Sequence, residues 1–292
     1  MSDVERLMQQ GQELLARIEA LVPGRPAPVD WDASIAFRWR KQAQRGALQP
    51  VANLHKIRLS DLQGVDRQKA LIEQNTRQFV EGRSANNVLL TGARGTGKSS
   101  LVKAMLNKFH KHGLRLIEVE KHDLLDLPDI VDQIAKRRER FVIFCDDLSF
   151  EASEPGYLAL KVVLDGSIAA PSDNVLIYAT SNRRHLMPEY MQENLETKHR
   201  GEEIHPGETV EEKISLSERF GLWISFYPFD QDAYLGIVAH WLEELGCPGD
   251  FEKARQEALQ WALLRGSRSG RVAWQFARDY AGRHGRTPKK PG

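Results

Sequence analysis

A short glycine-rich segment carries the strongest chemical signal in this sequence. It fits the pattern G-x-x-x-x-G-K-[ST] with Gly92, Ala93, Arg94, Gly95, Thr96, Gly97, Lys98 and Ser99. Glycines at these positions let the backbone curl so that several N–H groups point at phosphate oxygens. The pattern predicts that Lys98 places its ammonium group against the β- and γ-phosphates of a nucleoside triphosphate, and that the Ser99 hydroxyl ligates Mg²⁺. We therefore expect this P-loop, extended to Ser100 at the start of a helix, to bind a nucleotide.

An acidic pair follows an uninterrupted apolar segment. Asp146 and Asp147 come directly after residues 141–145, all of which are apolar. At the carboxyl end of a parallel strand, Asp146 would face the P-loop and anchor Mg²⁺, directly or through water. Asp147 would then orient or deprotonate the attacking water. Two acids after a strand also suit the start of a helix, but the P-loop upstream favours the metal site.

A polar amide ends the next apolar segment. Asn182 follows residues 175–180 and would lie beside the γ-phosphate if this strand neighbours the strand that precedes the P-loop. In that place it would hydrogen-bond the attacking water. The alternative for an asparagine after a strand is a plain turn former.

These candidate residues need elements that position them, and the chain provides strands that alternate with helices. Five short strands are predicted, at residues 87–91, 114–119, 141–145, 175–180 and 222–227, and the first and third are apolar. Helical patterns lie between them at 99–112, 130–138 and 157–164, and after Pro228 three more follow at 231–246, 251–264 and 270–281. Strands and helices at this spacing indicate a parallel sheet with helices on both faces. The last three helices predict a small helical second domain.

The first 50 residues lack this alternation. Ser2 and Glu5 have the spacing of a capping box, and an apolar stripe up to Val22 predicts a helix that packs on its own protein or on a partner. Residues 23–28 are rich in proline and are interpreted as a linker. Residues 31–50 are basic and aromatic, and we expect a solvated helix with one packed face. The alternative is a nucleic-acid contact through Arg38, Arg40, Lys41 and Arg45.

Composition and charge exclude several classes of protein. The 292 residues include 41 Lys and Arg against 40 Asp and Glu, a net charge of +1, which excludes a wholly basic nucleic-acid coat and a wholly acidic tail. The two cysteines, Cys145 and Cys247, exclude a disulfide scaffold and suit a reducing compartment. No apolar run approaches a membrane span, and the N-terminus lacks a signal-peptide pattern. We therefore expect a cytoplasmic protein with no membrane partner.

Together these segments resemble an AAA+ ATPase. From about Leu59 to Ala281 the resemblance includes the Asp-Leu-Gln-Gly segment at 61–64, the P-loop, the acidic pair, Asn182 as a polar sensor and a helical lid. The whole chain is more closely similar to an uncharacterised bacterial family of AAA+-type ATP-binding proteins, described only as a domain of unknown function. The segments that carry this similarity are NNVLLTGARGTGKSSLVKA, FVIFCDDLSF, EIHPGETVEEKISLSERFGLWISFYPFDQ and GSRSGR. The resemblance implies ATP and Mg²⁺ as ligands and names no physiological task.

The resemblance also implies a fold class and domain boundaries. We expect an α/β P-loop NTPase with a five-stranded parallel sheet of the AAA+ type, a small C-terminal helical lid and an N-terminal helical extension. The expected boundaries are 1–55 for the extension and linker, 56–228 for the nucleotide-binding core, 229–285 for the lid and 286–292 for a basic tail.

Two arginines gain roles through the resemblance. Residues 217–222 look like the box that supplies an arginine finger in replication-initiator ATPases, so Arg219 would reach the γ-phosphate bound in a neighbouring subunit. The alternative is an arginine at a helix end that neutralises the helix dipole. Arg271 resembles the lid arginine that contacts phosphate and senses the nucleotide state, and Arg268 is its competitor for that role.

The implied activity is slow ATP hydrolysis, coupled to assembly or to the remodelling of a protein client. The assembly would be a homo-oligomer with nucleotide at the subunit interface. The acidic pair is Asp-Asp where most AAA+ proteins have Asp-Glu, and the shorter side chain suits a slow switch. Two alternatives stay open, a nucleic-acid-associated loader or initiator-like ATPase and a non-hydrolysing ATP-gated scaffold. The polar segment 187–212 is expected to change order with nucleotide. The basic residues from Arg265 onward that do not contact nucleotide are expected to be solvated or to contact nucleic acid.

Overall fold

The computed structural model describes residues 8–9, 11–12, 29–42, 45–150, 154–165, 172–183, 216–247 and 251–284. Most of the predicted N-terminal helix, the linker at 23–28, the polar segment 187–212 and the basic tail at 286–292 lie outside these residues.

A seven-stranded sheet forms the centre of the described structure. Its strands are β1 (Ala36–Gln42), β2 (Arg45–Pro50), β3 (Val88–Gly92), β4 (Leu114–Glu118), β5 (Arg140–Cys145), β6 (Val175–Ser181) and β7 (Leu222–Phe226). They run in the spatial order β2-β1-β4-β5-β6-β3-β7, and every neighbouring pair is parallel except β1 with β2. The five predicted strands are β3 to β7, so the parallel sheet is confirmed, but the expected number of strands was too low.

The two additional strands correct the prediction for residues 31–50. Within it, residues 36–42 and 45–50 form the antiparallel hairpin strands β1 and β2 instead of a helix. Phe37 and Trp39 are buried, whereas Arg38 lies on the other face and forms an ion pair with Glu118 of β4. Alternation of this kind is what a strand with one packed face requires, and β1 gains a parallel neighbour in β4.

Helices cover the sheet and form a separate group after it. They are α1 (Asp66–Val80), α2 (Lys98–Phe109), α3 (Leu127–Ile134), α4 (Pro155–Asp165), α5 (Gln231–Glu244), α6 (Phe251–Leu264) and α7 (Gly270–His284), with 3-10 turns at Leu59–Asp61, His110–His112 and Lys121–Asp126. Each helix predicted between residues 99 and 281 is present; the helix at 251–264 has the predicted ends and the others have shifted ends. The helix α1 is an addition. No helix within the described ranges is long and apolar enough to span a membrane.

Alternate residues of the parallel strands supply two cores, one on each face of the sheet. From β5, Ile143 packs in the core that α3 and α4 cover, whereas Val142 and Phe144 pack in the core that α1 and α2 cover. Burial on both faces explains why β5 is apolar throughout. A third core lies among α5, α6 and α7 and includes the fully buried Tyr234 and Phe276. These three helices are called the lid below.

The strand order brings the candidate residues to one edge of the sheet. β3 pairs with β6 and β6 pairs with β5, all in parallel, so the loops after these strands leave the same edge side by side. Those loops contain the P-loop, Asn182 and the acidic pair. Ligands of open α/β sheets bind outside the carboxyl ends of the strands, so the topology favours a site here.

Candidate functional site

The backbone of the P-loop requires its glycines. Gly92, Gly95 and Gly97 have φ angles of +127°, +75° and +101°, in the region that disfavours residues with a Cβ atom. A Cβ atom on Gly92 would also collide with the carbonyl of Phe226 in β7, and one on Gly95 would lie 2.8 Å from Ser269 Oγ. The chain therefore folds here into a tight loop of backbone amides at the start of α2, which is a cradle that suits phosphate oxygens.

Lys98 connects this loop to the neighbouring strand. The residue is buried, and its Nζ donates hydrogen bonds to Gly92 O at 2.7 Å, Ala93 O at 2.8 Å and Asn182 Oδ1 at 3.0 Å. Burial, with a smaller contribution from the charges of Arg271 and Arg94, lowers the pKa of Lys98 to about 8 against the opposing attraction of Asp146 and Asp147. A desolvated cation interacts strongly with an anion that enters the loop.

Ser99 and Asp146 meet where the sequence predicts a metal site. Ser99 Oγ donates a hydrogen bond to Asp146 Oδ1 at 2.6 Å, and Thr180 Oγ1 donates one to the same oxygen at 2.5 Å. Ser99 and Asp146 both present oxygen atoms, which are the metal ligands that Mg²⁺ prefers. Sequence reasoning missed Thr180. Its signal is a hydroxyl residue near the end of an otherwise apolar strand that neighbours the strand of the acidic pair.

Asp147 is held in a defined orientation. Its φ of +54° makes it the one non-glycine residue with positive φ in the described part of the chain. Its backbone N–H donates to Thr180 Oγ1 at 2.9 Å, and its carboxylate accepts a hydrogen bond from the Asn182 amide. Because Asn182 also accepts from Lys98, these three side chains form one hydrogen-bonded chain.

A cavity of about 1250 Å³ adjoins these groups. The P-loop, the acidic pair and Asn182 line part of it, and residues 54–58, 61–63 and 65 line it together with residues of the lid. The lid contributes Ile237, Trp241 and Trp274, and the two tryptophan rings are 4.5 Å apart between centroids. A site lined by a cationic loop and by aromatic rings suits a ligand with an anionic group and a flat ring system.

Among the described residues, polar contacts at two places join the lid to the core. At the P-loop, Arg271 N donates to Gly95 O at 3.3 Å, and Arg271 lines the cavity whereas Arg268 does not. At the second place, the Arg58 guanidinium donates hydrogen bonds to Asp61 in the core and, at 2.5 Å, to Glu244 in α5. Sequence reasoning missed this second attachment, because no spacing pattern relates residues so far apart.

His240 joins the same two carboxylates. Potential ligand atoms of Asp61, His240 and Glu244 lie within 4.8 Å of one another, and His240 Nε2 is buried without a hydrogen-bond partner. Arg58 already supplies a positive charge between the two carboxylates. We therefore interpret the cluster as a contact between lid and core.

Arg219 lies apart from the cavity of its own chain. It follows the short helical turn that begins at Leu216, just before β7, and it does not line the cavity. Its Nε donates to Asp165 at the end of α4. The structure therefore brings together the P-loop, Asp146, Asp147, Asn182 and Arg271, but not Arg219.

Comparisons with known proteins agree with this architecture. A family model described as protein of unknown function (DUF815) matches residues 32–284. PCH-2 of C. elegans is similar with a TM-score of 0.51 and 16% identity, over 79% of this chain and 65% of that chain. The ORC1 protein of Aeropyrum pernix, solved in complex with DNA, is similar with a TM-score of 0.51 and 14% identity, over 76% of this chain and 61% of that chain.

This chain thus spans less than two thirds of either solved chain. None of the curated proteins matches it. At such low identity the two structures support the fold, and the fold is that of the AAA+ ATPases, as the sequence predicts.

Proposed function

This chain belongs to the family described as protein of unknown function (DUF815), and we propose that it is an AAA+ ATPase that binds ATP with Mg²⁺ and hydrolyses it slowly. Hydrolysis is coupled to assembly into a homo-oligomer or to the remodelling of a protein client. The observation that carries the proposal is the hydrogen-bonded chain from Lys98 through Asn182 to Asp147, which links the P-loop to the acidic pair.

The residues that line the cavity support a nucleotide with its phosphates on the P-loop and its base toward the lid. The loop amides and Lys98 offer donors and positive charge for the phosphates. Ile237, Trp241 and Trp274 offer an apolar, aromatic surface for the base. Arg271 stands at the joint between lid and P-loop, and we propose it as the lid arginine that senses phosphate. The preference for adenine rests on the resemblance.

Ser99 and Asp146 fit a Mg²⁺ ion, since both present oxygen atoms at the entrance of the loop. A bound Mg²⁺ would neutralise charge on the β- and γ-phosphate oxygens. Thr180 orients Asp146 through its hydrogen bond.

The proposed reaction is attack of water on the γ-phosphorus, with release of ADP and inorganic phosphate. Asp147 accepts a proton from the attacking water, Asn182 orients that water through its amide, and Lys98 stabilises the developing negative charge. Asp147 is one methylene shorter than the glutamate common at this place, and Asn182 engages its carboxylate. Both features support a low basal rate.

Assembly is supported by the surface that surrounds Arg219. Asp165, its partner, is on α4, where Leu158 and Val162 lie on the same helical face and are 61% and 49% exposed. A second copy of this chain is the occupant we propose for this α4 face, because Arg219 lies outside its own cavity and would complement the triphosphate in that copy. The nucleotide would then lie between subunits.

The alternative function as a nucleic-acid-associated loader has weaker support from the hairpin. Of its basic residues, Arg38, Arg40 and Lys41 form ion pairs with Glu118, Glu120 and Asp126. Charges that are paired within the chain release fewer counterions on binding to nucleic acid. The similarity to a solved complex of ORC1 with DNA keeps this alternative as an outcome of the tests below.

The experiment that tests the proposal combines calorimetry with phosphate release at several protein concentrations. Wild type is expected to bind ATP with Mg²⁺ and to hydrolyse it faster per subunit as the concentration rises. Lys98→Ala should weaken binding by about 100-fold, because a buried charged hydrogen-bond donor to phosphate is lost. Lys111→Ala, at an exposed position outside the cavity, should match wild type.

Each alternative gives a different outcome. Binding without phosphate release at any protein concentration would support the non-hydrolysing scaffold. Binding of DNA or RNA that requires ATP and falls steeply with salt would support the loader. If correctly folded wild-type protein gave no heat on titration with ATP and Mg²⁺, the proposal would fail.

A further inference from the structure

The third residue of the P-loop, Arg94, has a charged side chain that phosphate binding by the loop backbone does not require. A P-loop binds phosphate through its backbone, its lysine and its Ser or Thr hydroxyl, so positions between the glycines need no particular side chain. Here one of them carries a long cation that lines the cavity and whose side chain is 76% exposed. A cation in this place can pair with an anionic group of a ligand in the cavity.

Within the described chain, the acid that approaches Arg94 is Asp147. Arg94 Nη2 lies 3.8 Å from Asp147 Oδ2, and the carboxylate also accepts a hydrogen bond from Asn182. Arg94 is close enough to Lys98 for the two cations to repel each other. The guanidinium therefore lies beside the groups that are proposed to act on the γ-phosphate, whereas Ser99 and Asp146 mark the metal side of the site.

The ion pair between Arg94 and Asp147 is weak enough for Arg94 to exchange Asp147 for a bound phosphate. Both side chains are largely exposed, and an ion pair at this separation in water stabilises a protein little. A phosphate group offers the guanidinium more charge and a matching pair of oxygens. A terminal phosphate in the cradle would also relieve the repulsion between Arg94 and Lys98, because it places negative charge beside both.

We infer that Arg94 binds the terminal phosphate and gives this site its preference for a nucleoside triphosphate over a diphosphate. The inference rests on the proposed function of the cavity. This role differs from that of Arg271, because Arg94 belongs to the loop that holds the nucleotide. It differs from that of Arg219, because Arg94 acts within its own chain. It makes Arg94 a specificity-determining residue.

Calorimetric titration with ADP and with a non-hydrolysable ATP analogue, each with Mg²⁺, tests this inference. Arg94→Ala should weaken binding of the triphosphate by about tenfold, the loss expected for a charged hydrogen bond, and change the affinity for ADP by less than about twofold. Arg94→Lys keeps the charge but loses the paired donors, so its affinity for the triphosphate should lie between those of wild type and Arg94→Ala. Arg67→Ala removes an exposed arginine of α1 outside the cavity and should change neither affinity.

The outcomes separate this inference from the function on which it rests. An unchanged ratio of triphosphate to diphosphate affinity in Arg94→Ala would overturn the inference and leave the ATP site intact. An equal loss for both nucleotides would overturn it as well, because Arg94 would then serve the loop as a whole. A wild-type protein that binds neither nucleotide would overturn the proposed function itself.

Discussion

Asp147 has a backbone conformation that few residues other than glycine adopt. Its φ of +54° costs on the order of 1 to 2 kcal/mol for an ordinary residue and less for Asp or Asn, whose short side chains tolerate this region. The surrounding contacts hold it there, because its N–H bonds to Thr180 and its carboxylate to Asn182. Strain of this kind persists where the structure fixes a side chain for a task. The conformation is thus in accord with a role for Asp147 in the reaction.

Asp147→Asn tests that role with little change of shape. Asn tolerates the same backbone conformation and can still accept the hydrogen bond from Asn182, so nucleotide affinity should stay within about threefold of wild type. Phosphate release at saturating ATP and Mg²⁺ should fall by at least about 100-fold, since an amide cannot take the proton of the attacking water. Asp132→Asn, on the exposed surface of α3, serves as the control. Wild-type turnover in Asp147→Asn would remove Asp147 from the mechanism.

The sequence could predict which residues meet at the sheet edge when a motif fixes their spacing. The P-loop pattern predicted the positions of Lys98 and Ser99, and the apolar strands predicted that Asp146 and Asn182 would reach the same edge. The bond between Arg58 and Glu244 was not predictable, because it depends on how the lid packs on the core. The choice between Arg271 and Arg268 likewise depends on α7 starting at Gly270, which puts Arg271 against Gly95.

At the scale of the elements, the P-loop and the start of α7 pack so closely that one added methyl group should disturb their contact. Ser269 is buried, and its Oγ accepts a hydrogen bond from Val272 N at 3.3 Å near the start of α7. Gly95 lies directly against it, and Gly270 packs on the Gly95 carbonyl. A change at this joint should therefore affect both the phosphate cradle and the position of the lid.

Gly95→Ala is expected to weaken nucleotide binding by at least about tenfold and to lower the free energy of unfolding. The new Cβ lies 2.8 Å from Ser269 Oγ, so a cost of about 1 to 3 kcal/mol for overpacking adds to about 1 to 2 kcal/mol for the positive φ. Gly246→Ala is the matched control, because Gly246 has a φ of +69° and no atom within 4 Å of its new Cβ.

Calorimetry and denaturant unfolding of the two variants separate strain from collision. Gly246→Ala should show the cost of the positive φ alone and wild-type nucleotide affinity. Equal losses of stability in both variants, with affinity unchanged in Gly95→Ala, would mean that the lid does not press on the loop.

The hairpin shows why one element could not be predicted from the sequence. Residues 36–42 contain Arg, Lys, Gln and Ala, which favour helices, and the strand is too short for its alternation to stand out. Its stability depends on long-range partners, since Trp39 Nε1 donates to Asp126 at 2.9 Å and Lys41 pairs with the same carboxylate. Tertiary contacts therefore override the local preference. Strand β5 was predictable because burial on both faces makes residues 141–145 apolar throughout.

At the scale of the whole molecule, the main question is whether the site is complete within one chain. The cavity contains a cationic loop, an acidic pair and a lid arginine, but Arg219 lies outside it and pairs with Asp165 on α4. The exposed Leu158 and Val162 follow the same face of that helix. An arginine beside an apolar patch suits a contact in which the patch provides burial and the arginine provides charge.

Leu158→Glu should therefore weaken assembly without affecting nucleotide binding. A charge placed in the middle of an apolar contact costs at least about 1.4 kcal/mol, or a tenfold shift in the concentration at which assembly occurs. Leu264→Glu changes an equally apolar side chain, 86% exposed at the end of α6, and should leave assembly as in wild type. Sedimentation with a non-hydrolysable ATP analogue and Mg²⁺ measures the shift.

Arg219→Ala separates the role of this surface in assembly from a role of Arg219 in ATP hydrolysis. It should assemble like wild type but lose the rise in phosphate release with protein concentration, since the charge supplied to the neighbouring site is gone. Leu158→Glu should lose both. If Leu158→Glu assembled normally while Arg219→Ala still lost its rate, the finger would reach its neighbour from a contact that does not include α4. If Arg219→Ala hydrolysed ATP at the wild-type rate at every concentration, the site would be complete in one chain, and assembly would serve another purpose.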